Sequence, residues 1–166
     1  MPLNLERAFD ERPDVYQAWV GLNTSIKANM DLRRYELATL AAAQRLRSSY
    51  CCLAHGKVLL EQLDAPVAAI AADRRNAGLD AIELAVMELA ERVVDDATSI
   101  GDDELRPLRD LGLTEAEIMD VVLAAAARCF FSKTLDALGV LPDAHFAELP
   151  QELLDVLVVG RPIASI

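Results

Sequence analysis

The sequence predicts an all-α fold, a single-domain helical bundle. Three observations carry this. Ala and Leu, both strong helix formers, dominate the 166 residues. Apolar residues recur at three- and four-residue spacing, and no run alternates Val, Ile, Thr or aromatics between turn residues as a strand does. Seven Gly and seven Pro are too few and too scattered to form a linker, so residues 1-166 read as one domain.

Each element has a local reason. Pro13 opens a first helix to about Asn29, with Val15, Trp19, Leu22 and Ile26 as its apolar stripe. Asp31 caps a second to about Arg47, and Ser48 or Ser49 caps a third to about Leu63. A short fourth begins near Pro66 and stops before Gly78. Asp80 with Glu83 forms a capping pair for a long fifth, whose stripe is Ile82, Val86, Leu89 and Val93. Asp102 starts a short helix that ends at Gly112. Thr114 and Glu117 make a capping box for a further helix that Gly139 stops, and a last apolar segment runs from Glu152 to Val159. Leu40-Ala41-Ala42-Ala43 recurs as Leu123-Ala124-Ala125-Ala126, which reads as two close-packing Ala faces rather than as a repeat.

Charge and cysteine usage narrow the function. There are 27 acidic and 16 Lys or Arg side chains, a net charge of −11. That balance argues against binding nucleic acid or an anionic membrane, both of which need positive clusters. No uncharged stretch, Val121 to Ala127 included, approaches the ~20 residues of a membrane span. The opening MPLNLERAFDERPD lacks the apolar region of a secretory signal. Three cysteines, two of them adjacent, are not a disulfide framework. The expectation is a soluble cytoplasmic protein. Two histidines without a Cys-x-x-Cys pair give no tetrahedral metal set, so neither metal nor cofactor is expected.

The chemistry is concentrated in Tyr35 to Leu60. Cys51 and His55 are four residues apart and share one face of a helix, with Ser48 three residues before Cys51 on the same face. Cys52 is turned about 100° away. If Ser48 is the N-cap, Cys51 occupies N3 in the first turn, where free N–H groups and the helix dipole favour a thiolate. Glu36 shares a face with Leu40 and Ala43, an unusual place for a carboxylate. If the two helices pack as a hairpin, His55 or a water supplies the donor it needs. A carboxylate buried that way is expected to titrate above its ordinary range and to pass protons. The competing reading is plain packing: small core cysteines and a Glu36 that reaches solvent.

The window resembles the core motif of the alkylhydroperoxidase D and carboxymuconolactone decarboxylase superfamily: a Glu, about a dozen residues, then Cys-x-x-Cys-x-x-x-His. Glu36, Cys51 and His55 occupy the Glu, second Cys and His positions. Leu108 to Val140 is similar to the second conserved stretch, and Ser-Ser-Tyr-Cys-Cys-Leu-Ala-His resembles the peroxidase-related branch. The resemblance covers about residues 13 to 148. It implies a bundle of six or more helices, with the Cys helix packed against the Glu helix. It implies a homo-oligomer (dimer, trimer or hexamer) and a thiol-dependent hydroperoxide reductase that acts on hydrogen peroxide or an organic hydroperoxide. Cys51 would attack the peroxide, Glu36 and His55 would relay protons, and an external thiol or redox partner protein would serve as reductant.

One departure stands out: Ser48 occupies the place of the first motif Cys. A one-cysteine cycle through sulfenic acid is therefore expected. Ser48 would cap the helix and hydrogen-bond the thiolate, Tyr50 would donate to the peroxide or cover the site, and Cys52 would be at most an auxiliary thiol, since a vicinal disulfide is strained. Cys129 reads as core packing and His145 as a surface residue. The alternatives are a decarboxylase-like acid/base enzyme, for which Arg33, Arg34, Arg45 or Arg47 would hold a substrate carboxylate, and a redox sensor that does not turn over.

Overall fold

Local signals set most of the helix ends. The computed structural model describes residues 2–165, and among these nine α-helices follow one another with no strand. They are α1 (Asn4–Arg7), α2 (Pro13–Asn29), α3 (Leu32–Arg45), α4 (Ser49–Leu63), α5 (Val67–Asp73), α6 (Ala81–Asp96), α7 (Asp102–Asp110), α8 (Glu115–Ala137) and α9 (Gln151–Leu157). Pro13 sits in the first turn of α2, where its missing N–H is no loss. The Asp31 carboxylate accepts from the Arg34 N–H at 3.0 Å and caps α3. Asp80 accepts from the Glu83 N–H at 2.8 Å while Glu83 accepts from the Asp80 N–H at 3.0 Å. Thr114 and Glu117 repeat this reciprocal box at the start of α8, at 3.2 and 2.8 Å. Gly139 stops α8 with a left-handed φ of 76°.

The structure departs from the sequence reading in four places. α3 ends at Arg45 rather than Arg47, because Arg47 turns left-handed at φ 57° to begin the corner into α4. The last helix covers only Gln151–Leu157, and residues 158–165 are non-helical. α1 and a 3-10 turn at Ala144–Glu148 are too short to show a period. Leu22 is half-exposed rather than buried. α2 is rolled so that Asn23 and Lys27 reach the interior groups described below, and this carries Leu22 outward.

α3 is the central helix, packed against α4, α6 and α8. Every residue from Tyr35 to Ala43 is buried. The small side chains of Ala41, Ala42 and Ala43, facing a bundle that also buries Ala124 and Ala125, let the helices approach closely. α9 lies on α4 and α5, and Gly56 is there because a Cβ would overlap the Leu157 side chain. The tail beyond α9 returns to the α3–α4 corner. The Gly160 N–H donates to Ser49 Oγ at 2.8 Å, and Arg47 Nε donates to the Val159 carbonyl at 3.3 Å. Gly160 lies so close to the Arg47 carbonyl that a side chain has no room. No helix among the described residues is long and apolar enough to cross a membrane.

Candidate active site

The α3–α4 hairpin brings Glu36 to His55. The His55 Nδ1–Glu36 Oε2 distance is 2.6 Å, and Lys27 Nζ on α2 donates to Glu36 Oε1 at 2.9 Å. Both carboxylate oxygens of this buried side chain are therefore satisfied. On the other side of the imidazole, Arg128 Nη1 donates to His55 Nε2 at 3.1 Å. A guanidinium has only donors, so Nε2 is the acceptor and the ring proton belongs on Nδ1, facing Glu36.

The electrostatics agree with this tautomer. Burial and the Arg128 and Lys27 charges hold His55 below its ordinary value, against the pull of Glu36. The imidazole is neutral near pH 7. Burial pushes the Glu36 carboxyl up, but the hydrogen bonds from His55 and Lys27, with the Lys27 charge beside it, outweigh it. Glu36 therefore lies below its ordinary value, not above it as the sequence suggested: the reading from burial alone lacked Lys27, and Lys27 and His55 together favour the carboxylate.

Cys51 lies at N3 of α4, and Ser48 is the N-cap residue by backbone geometry. The thiol is 2% exposed. Two groups reach Sγ, and both are donors: Ser132 Oγ at 3.1 Å and Arg128 Nη1 at 3.9 Å. Arg128 is itself only 4% exposed. Its Nη2 donates to Asn23 Oδ1 at 3.1 Å, which also accepts from the Tyr35 hydroxyl at 2.7 Å. The guanidinium lies 4.8 Å from the Trp19 ring centroid and 5.3 Å from that of Phe131. Its Nε has no hydrogen-bond partner among the described residues.

The structure thus brings Glu36, His55 and Cys51 together and corrects the auxiliary assignments. Ser48 Oγ is buried and, among the described residues, makes no hydrogen bond, to the helix or to sulfur. The hydroxyl on the thiol comes from Ser132, one turn beyond Arg128 on α8. The Tyr50 hydroxyl donates to Asp143, and burial with that carboxylate beside it pushes its pKa far up. It is committed to that pair rather than to a peroxide. Arg33 pairs with Glu83, Arg34 with Glu117 and Arg45 with Asp95, and Arg47 binds the tail. None of the four is the cation at the site. Cys52 is fully buried, and burial, then Cys51 and Asp136, hold its thiol well above the ordinary value. Cys129 is partly buried and raised by burial, and His145 is exposed. Among the described residues no group of three His, Cys, Asp or Glu side chains is placed to hold a metal ion.

Arg128, Ser132, Asn23 and Lys27 escaped the sequence reading. One signal was present: Arg128 is the single charge between Val121 and Phe131, in a run otherwise made of Ala, Val, Leu, Cys and Phe.

An all-helical bundle whose central hairpin joins a buried Glu to a Cys-x-x-x-His turn defines the class: the chain has the alkylhydroperoxidase AhpD-core fold. It superposes on the AhpD-core, peroxidase-related protein of Ralstonia eutropha with a TM-score of 0.80 at 19% identity, over 87% of this chain and 78% of that one. A peroxidase-related protein from a Silicibacter species gives a TM-score of 0.72 at 17% identity, over 80% and 72%. No protein-family model matches the chain, and no curated protein does.

Proposed function

We propose that the chain is a thiol-dependent hydroperoxide reductase with Cys51 as its nucleophile. The observation that carries this reading is the surrounding of Sγ: an N3 position in a first turn, the Arg128 guanidinium, which can only donate, and the Ser132 hydroxyl, which can donate to the sulfur. Such a site suits a thiolate. In the reaction the sulfur attacks one peroxide oxygen. An S–O bond forms, the O–O bond breaks and Cys51 is oxidised by two electrons to sulfenic acid. The departing alkoxide or hydroxide takes up the proton that the thiol gave, and Glu36 and His55 relay it. One external thiol then displaces water from the sulfenic acid, and a second releases Cys51 and leaves as a disulfide. No second cysteine is needed, which fits Ser48 at the place of a resolving thiol. The reductase works in the cytoplasm, without a cofactor. The half-exposed Leu22 and Phe130 and the exposed Met119 suit burial in a homo-oligomer.

A decarboxylase-like acid/base reading has one observation in its favour, the buried Arg128, which supplies a cation where a substrate carboxylate would need one. The closed site ranks it second: Cys51 and Arg128 leave little surface for a ring-sized acid, whereas a peroxide is small.

The test is peroxide consumption with a dithiol reductant, paired with trapping of sulfenic acid and its location by peptide mass spectrometry. Cys51→Ser should abolish both, and Cys52→Ala should leave both in place. Equal losses from the two variants would overturn the one-cysteine cycle. Turnover of a lactone acid that survives Cys51→Ala would promote the second reading.

A further inference from the structure

We propose that Arg128 is the counter-ion of the Cys51 thiolate, a cation built into α8 and held by His55 and Asn23 so that its Nη1 faces the sulfur. This rests on the reading of Cys51 as the nucleophile and adds a residue to it. The titratable and charged groups around the sulfur can be taken in turn. On α4 they are Tyr50, Cys52 and His55. On α3 they are Tyr35 and Glu36, on α2 Lys27, and on α8 Arg128; Asp136 of α8 acts on the neighbouring Cys52 and is paired with Arg161, and Asp143 is held by the Tyr50 hydroxyl. Tyr35 and Tyr50 donate to Asn23 and Asp143 and stay neutral. Cys52 stays protonated. Lys27 and Glu36 cancel each other. Among the described residues Arg128 has no carboxylate within ion-pair distance, and it is almost fully buried. With a neutral thiol the site therefore carries one uncompensated positive charge out of water, and with a thiolate it is balanced.

The same geometry redefines His55. Its Nε2 already accepts a hydrogen bond from Arg128 while its Nδ1–H is held by Glu36. A proton lodged on Nε2 would face the guanidinium, so His55 carries a proton only in passing. Its standing task, with Glu36 behind it, is to aim Arg128. In this arrangement Glu36 and His55 are positioning residues for the cation as well as a path for the proton.

The experiment reads the sulfur directly. In a Cys52→Ala/Cys129→Ala background, the rate of Cys51 alkylation by iodoacetamide is followed against pH, with and without Arg128→Gln and Arg128→Lys. Removal of an opposite charge at this range shifts a titration by about one unit or more. Arg128→Gln should therefore move the alkylation profile to higher pH by about that amount. Arg128→Lys should recover most of it. An unmoved profile in a folded Arg128→Gln protein would overturn the assignment. A second measurement does not depend on that variant folding. The thermal stability of wild type over Cys51→Ser should grow as pH rises through the alkylation midpoint, because only wild type gains the ion pair, and parallel curves at every pH would overturn the assignment. If the profile shifts but no variant or wild type consumes peroxide, the counter-ion stands and the reductase reading falls.

Discussion

The arginines along α6 and the single arginine inside α8 meet opposite environments. Around α6, Arg33 pairs with Glu83, Arg45 with Asp95, Arg74 with Glu91 and Arg75 with Glu88, and most of these groups keep some contact with water. Inside the bundle, Arg128 has no acid partner among the described residues and is almost fully buried. Its ligands are an imidazole nitrogen, an amide oxygen, a thiol sulfur and two aromatic faces. A solvated pair is nearly neutral in energy and can sit anywhere on a helix surface. A cation buried without its anion is costly and persists where its chemistry is used. The comparison separates charges that decorate the fold from charges that define the site.

Three measurements break or sharpen that contrast. The largest effect is expected at Glu36. Glu36→Leu leaves the buried Nδ1–H of His55 without its acceptor, and an unsatisfied buried donor costs about 1–3 kcal/mol in urea unfolding. A cost below about 1 kcal/mol would put Glu36 in the same class as the surface pairs.

The next effect is a pH dependence. The unfolded chain protonates His55 near its ordinary value of about 6.5, while the folded protein holds it neutral. Stability should therefore fall as pH drops below about 6.5. Glu36 adds a second decline: its contribution is present above the ordinary carboxylate value of about 4.3 and is lost as pH falls through the lower folded value. Melting temperature against pH should show both declines in wild type, and His55→Gln should remove the upper one. A single decline below pH 5 in wild type would mean that His55 is protonated in the folded state.

The smallest effect is expected on α6. Arg75→Ala removes an ion pair whose arginine is 72% exposed and should change stability by less than ~1 kcal/mol. A larger loss would show that the outer pairs act as a network.

These differences explain which parts were legible in the sequence. Caps are decided within four residues, so Asp31, the Asp80–Glu83 box and the Thr114–Glu117 box could be read directly. The Glu36–His55 contact could be read because one hairpin turn joins its two helices. Arg128 and Ser132 reach Cys51 across 77 and 81 residues, and no local period encodes that meeting. The error over Leu22 has the same origin. Periodicity places it on the face of Trp19, but Asn23 and Lys27 turn α2 toward Arg128 and Glu36. Ser48 shows the converse: its position was legible and its role was not, because a backbone N-cap does not oblige the hydroxyl to bond.

The brace at the α3–α4 corner has a consequence for the timing of synthesis. Ser49 and Gly160 meet across 111 residues. Helices form in about a microsecond or less, whereas a ribosome adds only about 5–20 residues per second. The hairpin that carries Glu36, Cys51 and His55 therefore exists as local structure for seconds before residue 160 is made. During that interval the corner ahead of the first turn of α4 is unlocked, and α8 with Arg128 and Ser132 has not yet emerged for the earliest part of it. The surroundings of Cys51 are thus assembled from the outside in, its helix first, Arg128 next and the Gly160 latch last, and a chain released early has Cys51 without the groups that reach its sulfur in the finished protein.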